Sequence, residues 1–251
     1  MSNMITASDL RGHWRRDWIK TPDRFDDTTR VHWLQGDGIY ADIRVPLHRP
    51  QMDDATCLAD LPSPVLADLM QAEGFAGDIT VVDGVCTWAR HINLHGLPAP
   101  VDAGAMWFQD DGALIEDGVH TTYRERWHGV ATPPLNALSV EVDGLRIITV
   151  WNAHVFLVAS GPLRHAADPH LIDVLRAGTD DPATRAAGFA AQYTLGTWQD
   201  GVGMATLSTN PFAEGTPALR HASNGLIWTR TGFDGTRTDI PLPAPLQELS
   251  A

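Results

Sequence analysis

The chain has 251 residues, 43% of them hydrophobic, which is enough apolar matter for a sizeable folded core. Its net charge of −13 argues against nucleic-acid and anionic-membrane partners, since both require a basic face. Two cysteines are too few for a disulfide scaffold, and no apolar run approaches the roughly 20 residues that span a bilayer. Because the first residues carry no secretion signal, we expect a soluble cytoplasmic protein.

Short alternating or apolar runs, separated by Gly, Asp and Pro, dominate the chain and predict strands. In chain order these runs are HWRRDWI, RVHWLQ, IYADIRVP, GDITVVDGVCTWARHINL, AGAMWFQ, GALIED, HTTYRERWHGV, LSVEV, LRIITVWNAHVFLVAS, AAQYTLGTWQ, GVGMATLST, GLIWTRTGF and TRTDIPL. Asp-Gly turns stand inside or between them at 37–38, 83–84, 111–112, 143–144 and 234–235. Asp-Gly suits the positive φ of tight hairpins, so we expect an antiparallel meander.

Helices are few. Ser63-Pro64 is typical of a helix start, Asp168-Pro169 begins a second helix that Gly178 ends, and a third is predicted from Pro182 to Ala191. We expect them to cap or cover a barrel. The Pro-rich end, IPLPAPLQELSA, is predicted to be a frayed tail.

More than ten antiparallel strands must close or stack to bury their apolar faces. The meander favours a mainly β fold, an antiparallel barrel of about ten or more strands with a few short capping helices, as a single domain over residues 1–251. The alternative is two smaller barrels that split near 130–140, at Thr132-Pro133-Pro134.

Gly12-His13-Trp14 on the first strand resembles the Gly-x-Trp element of lipocalin-like (calycin) barrels. The resemblance implies that a basic residue of the last strand, Arg230 or Arg237, packs over Trp14. From Trp14 through YADIRVP the chain is also similar to intracellular proteins, fungal ones included, that are built from lipocalin-like barrels without an agreed activity. No functional residue follows from either resemblance.

Tryptophan and arginine share a strand face three times, at Trp14 and Arg16, Trp88 and Arg90, and Trp228 and Arg230. Glu125 and Tyr123 share the face of Trp127 in the same way. A face that bears tryptophan tends to be buried, so these charged groups are expected inside the barrel or at its mouth. Each arginine either stacks on an indole as a structural element or contributes to a polar ligand cavity.

The run from Tyr40 to Arg44 alternates Tyr40, Asp42 and Arg44 with Ala41, Ile43 and Val45. Either the polar set is solvated, or it faces the barrel lumen while the apolar set packs beneath a covering helix. In the second case the lumen offers groups that bind a carboxylate or enolate while a carboxylate moves a proton.

Asn152 and His154 share a face in the apolar run 150–156, so we expect His154 to be buried. It is either a satisfied core histidine or a general base, since its ordinary pKa lies near the working pH. His91 and His95, with Asn93 between them, could meet His120, His128 or Glu116 at a metal, but no metal motif is present and none is predicted. No nucleotide loop or haem signature is present, so no cofactor is predicted.

These patterns predict a barrel cavity that binds a small anionic or aromatic organic molecule and performs cofactor-free acid/base chemistry of the lyase, hydratase or isomerase kind. The predicted catalytic residues are Glu125, His154 and Asp42. The predicted ligand-binding residues are Arg16, Tyr40, Arg44, Trp88, Arg90, Tyr123 and Asn152. A non-catalytic carrier or sensor and a protein-interaction module are the alternatives, and a homodimer is left open.

Overall fold

The computed structural model describes residues 4–243, and most of their regular structure is β-strand. The strands are β1 (Gly12–Lys20), β2 (Phe25–Asp26), β3 (Arg30–Gln35), β4 (Ile39–Val45), β5 (Glu73–Val82), β6 (Val85–Asn93), β7 (Asp102–Phe108), β8 (Leu114–Gly118), β9 (Arg124–Val130), β10 (Asn136–Val142), β11 (Leu145–Trp151), β12 (Val155–Pro162), β13 (Gln192–Gln199), β14 (Val202–Ser208), β15 (Pro217–Ala222), β16 (Gly225–Thr231) and β17 (Arg237–Pro243). The helices are α1 (Ser63–Leu69), α2 (Leu171–Ala177) and α3 (Pro182–Ala187), with 3₁₀ turns at Ala7–Leu10, Leu58–Asp60 and Pro211–Ala213. Residues 244–251, most of the predicted Pro-rich tail, lie outside the described residues.

The strands form two antiparallel sheets. In the first, β1 pairs with both β3 and β9, so that β1 and β3 to β9 close into an up-and-down barrel, here called the first barrel. In the second sheet, β10 to β17 follow one another in sequential order, and its outer strands β10 and β17 lie near each other without pairing. The predicted mainly β, antiparallel barrel fold with a few short helices is confirmed.

The change from the first barrel to the second sheet occurs between Val130 and Asn136, the segment that contains Thr132-Pro133-Pro134. Proline has no N–H to donate to a strand ladder, so two consecutive prolines end the pairing there. The two sheets nevertheless share buried residues, and the number of independently folding domains stays a prediction.

Asp-Gly pairs form the tight turns that the sequence predicts. Asp83 and Gly84 have φ values of 52° and 78°, and Asp143 and Gly144 have 50° and 77°. Both residues are left-handed, as a type I′ hairpin requires, and its twist matches that of the flanking strands.

One predicted strand is in fact a hairpin. The run 145–160 turns between β11 and β12, where the side chain of Asn152 accepts hydrogen bonds from the backbone N–H groups of His154 and Val155, at 2.8 and 3.0 Å. A turn held by such side-chain-to-backbone hydrogen bonds competes with the hydrogen bonds of a continuous strand. It contains no glycine, which is the usual sequence indication of a turn. His154 is therefore exposed at the turn, and the prediction that it is buried is wrong.

The closed end of the first barrel lies beside the 3₁₀ turn Ala7–Leu10. The indole N–H of Trp14 donates to the carbonyl of Leu10 at 2.8 Å, and its ring lies 6.3 Å from that of Trp33. The implied basic cover over Trp14 is wrong, because the last strands belong to the second sheet. There Arg230 donates to the carbonyl of Ala190, and Arg237 to that of Pro217.

The outer face of β4 carries the main contact between the two sheets. Ala41, Ile43 and Val45 are buried in one cluster with residues of the second sheet that include Leu157 and Tyr193. The expected covering helix is replaced by a sheet, since two apolar sheet faces bury more surface against each other than against a short helix. The cluster is here called the shared core.

Helices α1 and α3 begin at Ser63 and Pro182 as predicted, and Gly178 ends α2. Helix α2 begins at Leu171, after the predicted Asp168-Pro169, and α3 ends at Ala187, before the predicted Ala191. Helices α1 and α2 pack against each other in a separate cluster, with Phe212 and Phe233 from loops of the second sheet. Within residues 4–243, no helix is long and apolar enough to cross a membrane.

We predict that Ile43→Ala lowers the free energy of unfolding by about 2–5 kcal/mol, because it leaves a cavity in the shared core. Val82→Ala, at an exposed hairpin position, is the control and should change it by less than about 0.5 kcal/mol. Urea denaturation followed by tryptophan fluorescence measures both. Equal effects would show that the contact between the sheets contributes little.

Candidate functional site

The interior of the first barrel is aromatic towards its closed end and charged towards the other, open end. Trp33, Trp88 and Trp127 are buried in the middle, and the ring of Trp33 meets the other two edge-on at 5.8 and 5.9 Å. The alternation of strand side chains then places charged residues one step nearer the open end, at Arg90 on β6 and Glu125 on β9. The tryptophans thus form an apolar floor below a polar layer.

The carboxylate of Glu125 is the centre of the polar layer. Its Oε1 accepts from the guanidinium of Arg16 at 2.7 Å and from that of Arg44 at 3.3 Å. Arg44 also donates to Asp42 at 2.9 Å, and Arg16 lies 3.4 Å from Asp26. The side chains of Arg16 and Glu125 are 5% and 1% exposed, so this is a buried ion network.

A cleft of about 280 Å³ opens above this network at the open end of the first barrel, and we call it the open-end cleft. Its lining consists of Ile19, Arg44, Glu73, Gly74, Phe75, Arg90, Asn93, His95, Pro100, Val101, Asp102, Thr121, Tyr123 and Glu125.

Arg90 is held on one wall of the open-end cleft. Its guanidinium donates to Asp102 at 2.7 Å and to Asn93 at 3.1 Å, and it lies 3.9 Å from the ring centre of Phe75. The guanidinium of Arg44 lies 4.7 Å from the same ring. Both guanidiniums are therefore stacked on an aromatic ring and paired with a carboxylate of the protein.

Glu116 lies directly opposite Glu125 in the pairing of β8 with β9, yet its surroundings differ. It accepts from the hydroxyl of Tyr123 at 2.6 Å and from the indole N–H of Trp127 at 3.2 Å, and no arginine contacts it in the described part of the chain. Burial, and next the charge of Glu125, raise the pKa of Glu116 well above its usual range. The surroundings of Glu116 therefore favour its protonated form, whereas its neighbour Glu125 is contacted by two guanidiniums.

Asp42 is also buried on the interior side of the first barrel. Burial raises its pKa to about 6, and the neighbouring Arg44 offsets part of that rise. The barrel interior thus contains carboxyl groups whose proton affinities differ, which is an arrangement that acid/base sites use.

Four of the predicted site residues line the open-end cleft: Arg44, Arg90, Tyr123 and Glu125. Arg16, Asp42 and Trp88 lie behind it, where they contact or flank the same charged layer. Tyr40 is fully buried in the aromatic core, with its ring 6.4 Å from that of Phe75.

Two predicted site residues lie elsewhere. Asn152 and His154 stand at the hairpin turn of the second sheet, where Asn152 also donates to Thr132 and to the carbonyl of Pro133. The placement of these two residues in a common cavity is wrong, because the turn removes them from the strand face on which the prediction was based.

Sequence reasoning missed Glu116, Glu73, Phe75 and Asp102 as residues of the charged layer and the cleft. Glu116 shares the inward face of β8 with Leu114, which is the signal that identified Glu125 beside Trp127. Asp102 and Glu73 stand at strand starts, where alternation gives no indication of burial.

The candidate metal-ligating histidines do not come together. His91 lies 3.2 Å from Asp78, and His95 hydrogen-bonds to the carbonyl of Ala72. Among residues 4–243, no group of three or more His, Cys, Asp or Glu side chains has metal-site geometry.

A different pair of histidines meets on the outer face of the first barrel. Nε2 of His13 and Nδ1 of His32 are 2.8 Å apart, and both rings are largely buried. Burial, followed by the charge of Arg15, lowers the pKa of His13 to about 4. Burial, followed by His13, lowers the pKa of His32 to about 3.

We predict that Arg16→Met lowers the free energy of unfolding by about 3 kcal/mol, because a buried carboxylate loses one of its two cations. Arg11→Met is the matched control, since Arg11 pairs with Asp37 on the exposed surface, and it should cost less than about 1 kcal/mol. The double variant Arg16→Met with Glu125→Gln should lose less than the sum of its parts. Chemical denaturation measures the wild type, Arg16→Met, Arg11→Met, Glu125→Gln and the double variant, and equal effects for Arg16→Met and Arg11→Met would contradict the prediction.

The histidine pair predicts a loss of stability in acid. Below about pH 6.5 the unfolded chain binds protons at these histidines, while the folded chain does not until about pH 4. Above pH 6.5 these histidines are neutral in both states and do not lower the free energy of unfolding. By pH 5 the free energy of unfolding has fallen by about 2 kcal/mol for each histidine.

The measurement compares the free energy of unfolding at several pH values for the wild type and for His13→Asn with His32→Asn. We expect the difference between the two profiles to fall between pH 6.5 and 5, whereas exposed His120→Asn should leave the wild-type profile unchanged. Taking a difference cancels other titrating groups such as Asp42. Parallel profiles would contradict the prediction.

Comparison with known proteins identifies a fold relative. No family model matches the chain, and no curated protein matches it. Among solved structures, the crystal structure of the uncharacterized protein YLR301w from Saccharomyces cerevisiae is similar, with a TM-score of 0.52 and 13% sequence identity. The similarity covers 92% of this chain and 98% of the yeast chain. At this identity the likeness establishes a shared fold over nearly the full length of both chains.

Proposed function

We propose that the open-end cleft of the first barrel binds a small organic molecule and transfers protons to and from it without a cofactor. The observation that carries this proposal is the pair formed by Glu116 and Glu125. They stand opposite each other on β8 and β9, and Glu125 lines the cleft while Glu116 lies behind it. The pKa of Glu116 is raised, whereas Glu125 is paired with two guanidiniums.

The shape of the first barrel supports binding. We propose that this barrel is lipocalin-like, because eight up-and-down antiparallel strands surround an interior that suits one small ligand. The tryptophan floor fills the closed half, so the volume that remains lies at the open end. At about 280 Å³ the open-end cleft is near the lower limit of ligand pockets, which favours a compact molecule.

The proton pathway uses two groups. Tyr123 lines the open-end cleft and its hydroxyl lies 2.6 Å from Glu116. In the proposed relay the hydroxyl rotates to give its proton to the bound molecule and takes a proton from Glu116 in exchange. Glu125 is the group that accepts a proton, and its Oε2 has no hydrogen-bond donor among the described residues. Exchange with solvent through the open-end cleft then removes the proton from Glu125 and supplies one to Glu116, which restores both groups.

The binding test uses a variant that fills the cleft. Val101 is 68% exposed at the rim, so Val101→Trp should block the cleft without disturbing the core. Val82→Trp, at a 67% exposed hairpin position at the opposite end of the barrel, is the matched control. Compounds from a small-molecule panel that raise the melting temperature of the wild type and of Val82→Trp should not raise that of Val101→Trp.

The chemical test follows deuterium uptake from D₂O into the binding compounds by proton NMR. Tyr123→Phe should bind them with little change but exchange them about 100-fold more slowly, since it breaks the route from Glu116. A ligand that binds in the cleft and is recovered unchanged would refute the acid/base step and favour a carrier. Equal thermal shifts for Val101→Trp and Val82→Trp would refute the cleft as the binding site.

A further inference from the structure

The charges that line the open-end cleft are unequal. Glu73, Asp102 and Glu125 contribute three carboxylates, whereas Arg44 and Arg90 contribute two guanidiniums. A site built to hold an anion has the opposite balance. The whole chain, at −13, repels anions at long range and attracts cations.

The two guanidiniums have little capacity left for a ligand anion. Arg44 donates to Asp42 and Glu125, and Arg90 donates to Asn93 and Asp102. The Nε–H of Arg90 has no hydrogen-bond acceptor in the described part of the chain, but its guanidinium already covers a phenyl ring. A ligand carboxylate would have to displace a carboxylate of the protein, with no net gain of charge pairing.

The carboxylates, in contrast, retain acceptor capacity. Oε2 of Glu125 is buried and accepts no hydrogen bond from any residue between 4 and 243. Glu73 at the rim has no cationic partner within 4 Å among the same residues. A buried carboxylate oxygen without a donor is costly, so a donor that enters the cleft gains a strong, charge-assisted hydrogen bond.

We infer that the open-end cleft takes a small organic cation, whose protonated amine or amidine nitrogen donates to Glu125 while its apolar body lies against Ile19 and Val101. Glu73 at the rim adds attraction for the same charge. This inference rests on the proposed function, because it names the ligand class of the same cleft. It replaces the anionic ligand that the arginines in the sequence predict.

The test compares three probes of nearly equal shape and different charge: benzylamine, benzyl alcohol and sodium benzoate. Binding to the full chain is measured at neutral pH by ligand-observed saturation-transfer NMR and by tryptophan fluorescence. We expect benzylamine to bind at least about tenfold more tightly than benzyl alcohol, and benzoate not to bind. The Val101→Trp variant should lose the benzylamine signal.

Two variants locate the charge that is recognised. Glu125→Gln should weaken benzylamine at least about tenfold, and circular dichroism establishes that this variant is folded. Because the loss of a buried charge could unfold the barrel, exposed Glu73→Gln is a second variant and should weaken benzylamine about threefold. Glu141→Gln, on the surface of the second sheet, makes the same change in net charge and should have no effect.

The outcomes separate this inference from the proposed function. Benzoate or benzyl alcohol bound in the cleft as tightly as benzylamine would overturn the cationic ligand and leave cleft binding intact. Benzylamine bound equally by the wild type, Glu73→Gln and Val101→Trp would overturn the inference as adventitious binding. If none of the probes binds, while other compounds from the panel give shifts that Val101→Trp abolishes, the ligand class alone is wrong.

Discussion

The ion network around Glu125 is the constraint on which the rest of the first barrel depends. A carboxylate that is 1% exposed is tolerable only with cations beside it, and these come from Arg16 on β1 and Arg44 on β4. The pairing of β1 with β9 closes the barrel, so the network links the first and the last strand of the barrel sheet. Desolvation cancels much of the attraction in such networks, so the network adds little net stability although loss of one partner is costly.

The same network sets the surroundings of the other charged groups at the open end. Because Arg16 and Arg44 both pair with Glu125, neither contacts Glu116, and burial raises the pKa of Glu116 well above its usual range. Arg90 is likewise paired with Asp102. The cleft therefore contains arginines, but each of them is already paired with a carboxylate of the protein. One arrangement of side chains therefore underlies both the raised pKa of Glu116 and the proposal of a cationic ligand.

Side-chain alternation in the sequence predicts which residues share a strand face, but it does not always predict which face points into the barrel. Alternation placed Tyr40, Asp42 and Arg44 on one face, but the apolar face of β4 competed with it for the interior. The second sheet resolves that competition, because it buries Ala41, Ile43 and Val45 from outside and leaves the polar set to the lumen. For His154 the alternation predicted burial wrongly, because the side chain of Asn152 forms a local turn there instead of a continuous strand. That turn contains no glycine, so nothing in the sequence indicated it. Glu116 follows the alternation of β8, but Leu114 is the only large apolar residue on its strand face, so the prediction of burial was weak.

The sequence by itself determined the antiparallel β fold, most strands, the Asp-Gly turns and the grouping of Arg90, Tyr123 and Glu125 as inward residues. These follow from local physics: side-chain alternation, positive φ and the burial of tryptophan. The tertiary structure alone decided how the strands divide between two sheets, that the face of β4 with Arg44 points inward, which carboxylate each arginine contacts, and that the pKa of Glu116 is raised. Each of these depends on distances between residues far apart in the chain, and a protonation state is a property of the assembled surroundings.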